Sequence, residues 1–291
     1  MDADMMTNRT NAADMAAGSV QYADNGGKVQ GRKKGLSGST LKLVAIVAMF
    51  IDHFAAIILD RYLVSIGILS LNQDTVLLPE NRTMLIIYCI DLAMRLIGRL
   101  GFPLFCFLLV EGYYHTRSKA KYGMRLAMFA LISEIPFDLG FKSQVLEFTY
   151  QNVFFTLFFG FVMIWGIDEF NTQMKEKFEG KLRLFLCILG TVSITVAGGV
   201  IVELLKTDYA SIGVITIVLM FLLHKKSFAG SMALGCFALT VRMPVEITSF
   251  ITVPLVAKYN GTRGLKLKYF FYLFYPVHIL LLSLVCMAMG I

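Results

Sequence analysis

Apolar segments of the length an α-helix needs to cross hydrocarbon, about 20 residues, recur from Leu41 to Ile291. Lipid offers no hydrogen bonds, so each segment must satisfy its own backbone, and helices packed side by side are what such a chain can become. Charge content agrees. Of the residues, 57% are hydrophobic and 16% charged, against about a quarter charged in a domain with a water-facing surface. The sequence predicts an all-α, polytopic helical membrane bundle. Passages fall near 41–59, 84–115, 122–140, 151–168, 183–203, 209–223, 227–241, 245–257 and 269–289.

Loop charges count these passages. Taking 84–115 as one bent passage, with the N-terminus cytosolic, puts 19 Lys and Arg on cytosolic segments and five on outer ones. That is the asymmetry of the positive-inside rule, and two full crossings at 84–115 would invert every later loop. About nine passages follow. The centre of 84–115, RLIGRLGFP, holds Gly98, Gly101 and Pro103. Pro103 cannot donate to the Arg99 carbonyl, so a kink or break is expected there, and a split at Gly98–Pro103 is the ten-helix alternative.

Residues 1–40 are rich in Asn, Asp, Ala, Gly and Ser and turn basic at Arg32, Lys33 and Lys34. They lack the apolar core of a signal peptide and are expected to form a disordered basic cytosolic tail before a single membrane domain, 41–291. The loop at 61–82 is a candidate for a short surface-lying helix. The five cysteines lie in apolar runs without metal-ligand spacing and read as packing thiols. A net charge of +7 is accounted for by topology, so neither a metal nor nucleic acid is expected.

Ionisable groups within a membrane span are costly and turn inward. Here they gather in a few passages: Lys42, Asp52 and His53 in the first; Asp91, Arg95, Arg99 and Glu111 in the second; Glu134 and Asp138 in the third. Gln151 and Asn152 open the fourth, and Tyr275 and His278 lie in the last. The functional cavity is expected among these five passages. Lys42 and His53 are eleven residues apart, which places them within about 20° of one helix face and roughly 16 Å apart along the axis. His278 falls at a similar depth, so the two imidazoles can share a site, although a lone intramembrane His can equally bond a neighbouring helix. Asp91 and Arg95 form a neutralising i, i+4 pair, which leaves Arg99 as surplus positive charge suited to a phosphate. His115, Arg117 and Lys119 sit at the inner mouth. His224 reads as a plain loop residue.

The blocks LKLVAIVAMFIDH, RLIGRLGFPLFCFLLVEGYYHTRS, RLAMFALISEIPFDLGF, QNVFFTLFFG, DYASIGV and FYLFYPVHILLL together resemble the TraX family over Leu41–Leu282. The resemblance implies membrane-embedded acetyl transfer, with a pilin N-terminus as the family's namesake acceptor. It also implies kinship with transmembrane acyltransferases whose first helix carries a basic residue, ten others and a His, the pattern of Lys42 and His53. Acetyl-CoA would enter from the cytosol, with Lys42, Arg95, Arg99, His115 and Arg117 on its phosphates. His53 would serve as general base or transient acyl acceptor, assisted by Asp52 and His278. Glu111, Glu134, Asp138, Gln151, Asn152 and Tyr275 would line the acceptor side. The expected protein is a multi-pass enzyme of a bacterial plasma membrane, in contact with membrane lipid and acting on a small-molecule, peptide or glycan acceptor. The tail 1–40 lies outside the resemblance, so a pilin acceptor does not follow from it. A proton-coupled secondary transporter using the same His and carboxylates is the alternative. It lacks a second broken helix to match the one at 98–103.

Overall fold

A computed structural model describes residues 34–66, 82–265 and 268–291; the expected tail over 1–33 and the surface helix in 67–81 lie outside the described residues. Helix α1, Gly38–Ser65, runs for 28 residues, about 42 Å. Ser37 caps it by accepting the Thr40 N–H, and a π-helical turn interrupts it at Ala55–Leu59. Then follow α2, Arg82–Gly98, α3, Gly101–His115, and α4, Lys119–Lys142. Next come α5, Val153–Lys177, α6, Gly180–Leu204, α7, Ala210–His224, and α8, Phe228–Arg242. A 3₁₀ segment, Pro244–Ile251, leads into the short α9, Thr252–Ala257, and α10, Lys268–Met289, closes the chain. Among the described residues there is no β-strand, only two isolated bridges.

The expected break in the second passage is present, at Arg99–Leu100 rather than at Pro103. Pro103 instead occupies the first turn of α3, where a missing N–H has no partner to lose. Contacts along α1 show the path through the break. Asp60 meets Asp91, Asp52 meets Arg95, and Ala45 and Met49 meet Gly101. The pairs advance steadily, so α2 and α3 run in the same direction down α1 as one bent element.

Among the described residues, five helical stretches are long and apolar enough to cross a membrane: Gly38–Ser65, Arg82–His115, Val153–Lys177, Gly180–Leu204 and Phe270–Met289. The expected passage at 122–140 is α4, Lys119–Lys142, which is not among them, and those at 209–223, 227–241 and 245–257 are shorter apolar helices. Leu131, Phe185, Val196, Phe237 and Leu281 belong to a belt of exposed large apolar side chains around the bundle. So many large apolar side chains left exposed are unlike the surface of a water-soluble monomer, and lipid is the solvent they suit. Inside, Phe107, Phe161, Leu104, Ile217 and Met220 are fully buried.

The bundle has two ends, here the near end, where α1 starts, and the far end, where it finishes. At the near end the Leu36 N–H donates to the Lys258 carbonyl (2.8 Å) and the Gly38 N–H to the Thr262 carbonyl (2.7 Å). The compact unit therefore begins at Gly35, ahead of the expected boundary at 41. At the far end the Asp208 N–H donates to the Gln151 carbonyl (2.8 Å), tying the α4–α5 and α6–α7 connections together.

Candidate functional site

His53 lies about 22 Å along α1, close to its middle. Its Nδ1 is 2.7 Å from His278 Nε2 on α10. The two rings are parallel within 2°, with centroids 4.9 Å apart. His278 Nδ1 in turn lies 2.6 Å from the Phe274 carbonyl one turn earlier. Edges of Phe141 and Tyr275 close on His53 at 5.4 and 5.7 Å.

Asp52 points the other way, toward α2 and α3. Arg95 Nη1 is 2.8 Å from Asp52 Oδ1, and Arg99 Nη2 approaches the same oxygen at 3.8 Å. Arg99 Nη1 also pairs with the wholly buried Glu246 at 3.3 Å. Gly98 makes this approach possible, because a Cβ there would overlap the Asp52 carboxylate. The expected Asp91–Arg95 pairing is thus replaced by pairs between helices, and Arg99 is not surplus charge. Asp91 shares a hydrogen bond with Asp60.

A cavity of about 490 Å³ joins these groups to the far end. His53, Asp52, Arg95, Arg99 and Tyr275 line its depth, and Phe102, Phe105, Phe137 and Phe141 its walls. Glu203, Asp208 and Arg242, at the far-end termini of α6, α7 and α8, complete it. Lys206, Tyr209 and Ala210 all have positive φ, a backbone strain of order 1–3 kcal/mol for each non-glycine. Tertiary contacts hold that strained connection. Thr156 Oγ1 donates to the Asp208 carbonyl, Tyr150 Oη to Asp208 Oδ1 at 2.6 Å and Tyr209 Oη to Glu246 at 3.4 Å. Tyr209 also stacks on Phe102 at 3.7 Å. Burial pushes the Asp208 carboxyl up, against the opposing bond from Tyr150. In the α4–α5 connection, the Thr149 hydroxyl and N–H hold Glu147 below the usual carboxylate range.

A second polar cluster sits at the near end. Glu111 Oε2 is 2.7 Å from His224 Nε2, while Glu111 Oε1 takes the Tyr259 hydroxyl at 2.8 Å and lies 2.9 Å from His115 Nε2. His224, read from sequence as a loop residue, is the last residue of α7 and only 1% exposed. Phe107, Tyr114 and Phe228 surround its ring.

The structure therefore divides the sequence-predicted residues. His53, Asp52, Arg95, Arg99 and Tyr275 meet at one cavity, with His278 behind His53. Lys42 lies 5.4 Å over the Phe271 ring of α10, on the same side of α1 as His53, as its spacing predicts. Glu111 and His115 belong to the near-end cluster, and Arg117 is exposed beyond α3; His115 is about 21 Å of helix from Gly101, too far to share a site with Arg99. Glu134, Asp138, Gln151 and Asn152 do not line the cavity. Asn152 Nδ2 donates to Glu134 and to the Ala130 carbonyl (2.8 Å), and Asp138 accepts the Glu147 N–H (2.8 Å). Gln151 Nε2 donates to the Phe148 carbonyl (2.9 Å). These residues lock α4 to α5. The cavity also draws on α6–α8, outside the five expected passages. Tyr150, Asp208, Tyr209 and Glu246 sit in connections or a 3₁₀ segment, where helical periodicity is silent; the DYASIGV block marks Asp208 and Tyr209, and no such block marks Tyr150 or Glu246.

The family model described as TraX protein matches residues 37–286. The chain is 28% identical over 267 residues to a protein of Dichelobacter nodosus named "Probable fimbrial assembly protein FimC, serogroup H1"; the match spans 84% of this chain and 94% of the relative. No solved structure matches. The chain belongs to the TraX family.

Proposed function

Taking membership of the TraX family as premise, we propose that this protein is an integral membrane acetyltransferase whose reaction centre is the His53–His278 pair. The observation that carries the reading is an imidazole near the middle of a helix long and apolar enough to cross a membrane, bonded to a second imidazole on one edge and bordering an aromatic-walled cavity. The near end is cytosolic, on the charge asymmetry of the loops, and the path of α2–α3 along α1 favours nine passages. The membrane is a bacterial plasma membrane. The cavity then opens away from the cytosol and receives the acceptor there. The amine of a peptide, or of a subunit like those implied by the relative's name, is the acceptor of choice; a hydroxyl of a small molecule or glycan is the variant.

Acetyl-CoA is the donor, approaching from the cytosolic end along the α1–α10 face that carries Lys42. Arg95 and Arg99 are neutralised by Asp52 and Glu246, so they are assigned to shaping the reaction centre and not to phosphate binding. The acceptor nitrogen, as free amine, attacks the thioester carbonyl carbon; the C–N bond forms and the C–S bond breaks. His53 takes the amine proton and returns it to the leaving sulfur, so no proton is gained or lost overall.

The test is acetyl transfer from radiolabelled acetyl-CoA to a peptide amine in proteoliposomes. His53→Ala should abolish turnover with the fold intact. Transfer unchanged in His53→Ala overturns the assignment, and solute uptake driven by a proton gradient without any transfer replaces it with transport.

A further inference from the structure

The hydrogen bonds around His278 fix where the protons of both rings reside. A backbone carbonyl only accepts, so the 2.6 Å contact to the Phe274 carbonyl puts a hydrogen on His278 Nδ1. In a neutral ring the other nitrogen is then a bare acceptor. That nitrogen, Nε2, faces His53 Nδ1 at 2.7 Å, so the shared hydrogen belongs to His53 Nδ1. His53 Nε2 is left with a lone pair. A doubly protonated His278 would reverse the chain, but it would bury a cation among Phe50, Phe274 and Tyr275. Among the described residues no carboxylate bonds to either ring, and a buried charge without a counterion is costly.

Position completes the argument. His53 and Tyr275 line the cavity and His278 does not, so the Nδ1 edge of His53 turns to α10 and the Nε2 edge to the open space. Among the described residues nothing bonds Nε2. Free histidine side chains favour hydrogen on Nε2, the form that would present a donor to the acceptor instead of a base.

We propose that His278 is a positioning residue that holds His53 in its Nδ1–H tautomer, so that Nε2 of His53 is the basic nitrogen presented to the acceptor. The inference rests on the acetyltransfer reading for its purpose, but not for its test. A neutral imidazole here takes the orienting part usually given to a carboxylate. It does so at a depth where a carboxylate would need its own counterion. When Nε2 accepts the amine proton, the bond from Nδ1–H to His278 persists and steadies the imidazolium.

The experiment uses full-length protein in nanodiscs with ¹⁵N-labelled histidine, the His53 signals being assigned by their loss in His53→Gln. Wild type should show His53 protonated on Nδ1 and bare on Nε2. His278→Gln, whose amide oxygen can accept the same bond, should keep that pattern, and His278→Ala should shift His53 toward Nε2–H. In the transfer assay, His278→Gln should stay within about tenfold of wild type. His278→Ala should lose about 10²- to 10⁴-fold in kcat with KM little changed, the scale of a wrong tautomer in a hydrolase triad. Wild-type His53 protonated on Nε2, or a tautomer indifferent to His278→Ala, overturns the proposal. The expected tautomers without any acetyl transfer would leave it standing and overturn the acetyltransferase reading alone.

Discussion

Replacing Asp52 by Asn strands Arg95. The carboxylate lies 2.8 Å from Arg95 and 3.8 Å from Arg99, with the Arg95 and Asp52 side chains 30% and 19% exposed. Removing one partner of a fully buried pair costs about 3–5 kcal/mol; the partial exposure here lowers that to about 2–3 kcal/mol. Arg99 keeps Glu246 at 3.3 Å and adds little. For a chain of this size the loss corresponds to a fall of roughly 3–5 °C in melting temperature, readable from the fluorescence of Trp165, the single tryptophan. Arg95→Gln should cost less, because Asp52 can turn to Arg99. The double variant Asp52→Asn/Arg95→Gln should be at least about 1 kcal/mol more stable than the sum of the singles. Strict additivity would mean the pair does not form, and the account of the cavity's depth would fall with it.

Gly98→Ala should disturb the same pair by steric means, since the new Cβ overlaps the Asp52 carboxylate; acetyl transfer should drop well below that of Gly101→Ala, where the nearest atom would be 3.5 Å away. Glu111→Gln removes the charge that holds His224, His115 and Tyr259. It should destabilise the near end, by about 1–3 kcal/mol in thermal unfolding, while the ¹⁵N signals of His53 stay in place; movement of those signals would refute the separation of the two clusters. Asp208 lies outside the helices with its carboxyl pushed up by burial. Its contribution to stability is therefore present below the ordinary aspartate value of about 3.9 and lost as pH rises through the higher folded value. Asp208→Asn, which does not titrate, should gain stability relative to wild type across that rise, and a difference flat in pH would refute it.

Bundle and centre differ in how far they can be read from sequence. Hydropathy and loop charge reach the helices because each apolar run is a local statement about lipid. The helical period brings Lys42 and His53 to one face because both lie within Gly38–Phe54, an unbroken α-helix. Pairings between helices are not local, and there the sequence reading misleads. Asp91 and Arg95 have the spacing of a pair, yet Arg95 goes to Asp52, because Gly98 lets α1 approach and brings that carboxylate within 2.8 Å of the guanidinium. Glu111 and His224 are 113 residues apart, and nothing in either segment announces the other.

The π-helical turn shows the limit most clearly. Asp60 is seven residues after His53, about 700° on an unbroken helix, which would return it to within about 20° of the His53 face. A carboxylate would then stand beside the two imidazoles. One extra residue in the turn Ala55–Leu59 rotates all that follows by about 100°. Asp60 is carried to Asp91 on α2, and Arg61 reaches the Leu139 and Gly140 carbonyls at the end of α4, at 2.8 and 2.5 Å. The face shared by His53 and His278 is thereby kept free of anions, the condition under which two neutral rings can hold each other's protons in fixed places. An irregularity invisible to the 3.6-residue period thus separates acid from base along a single helix.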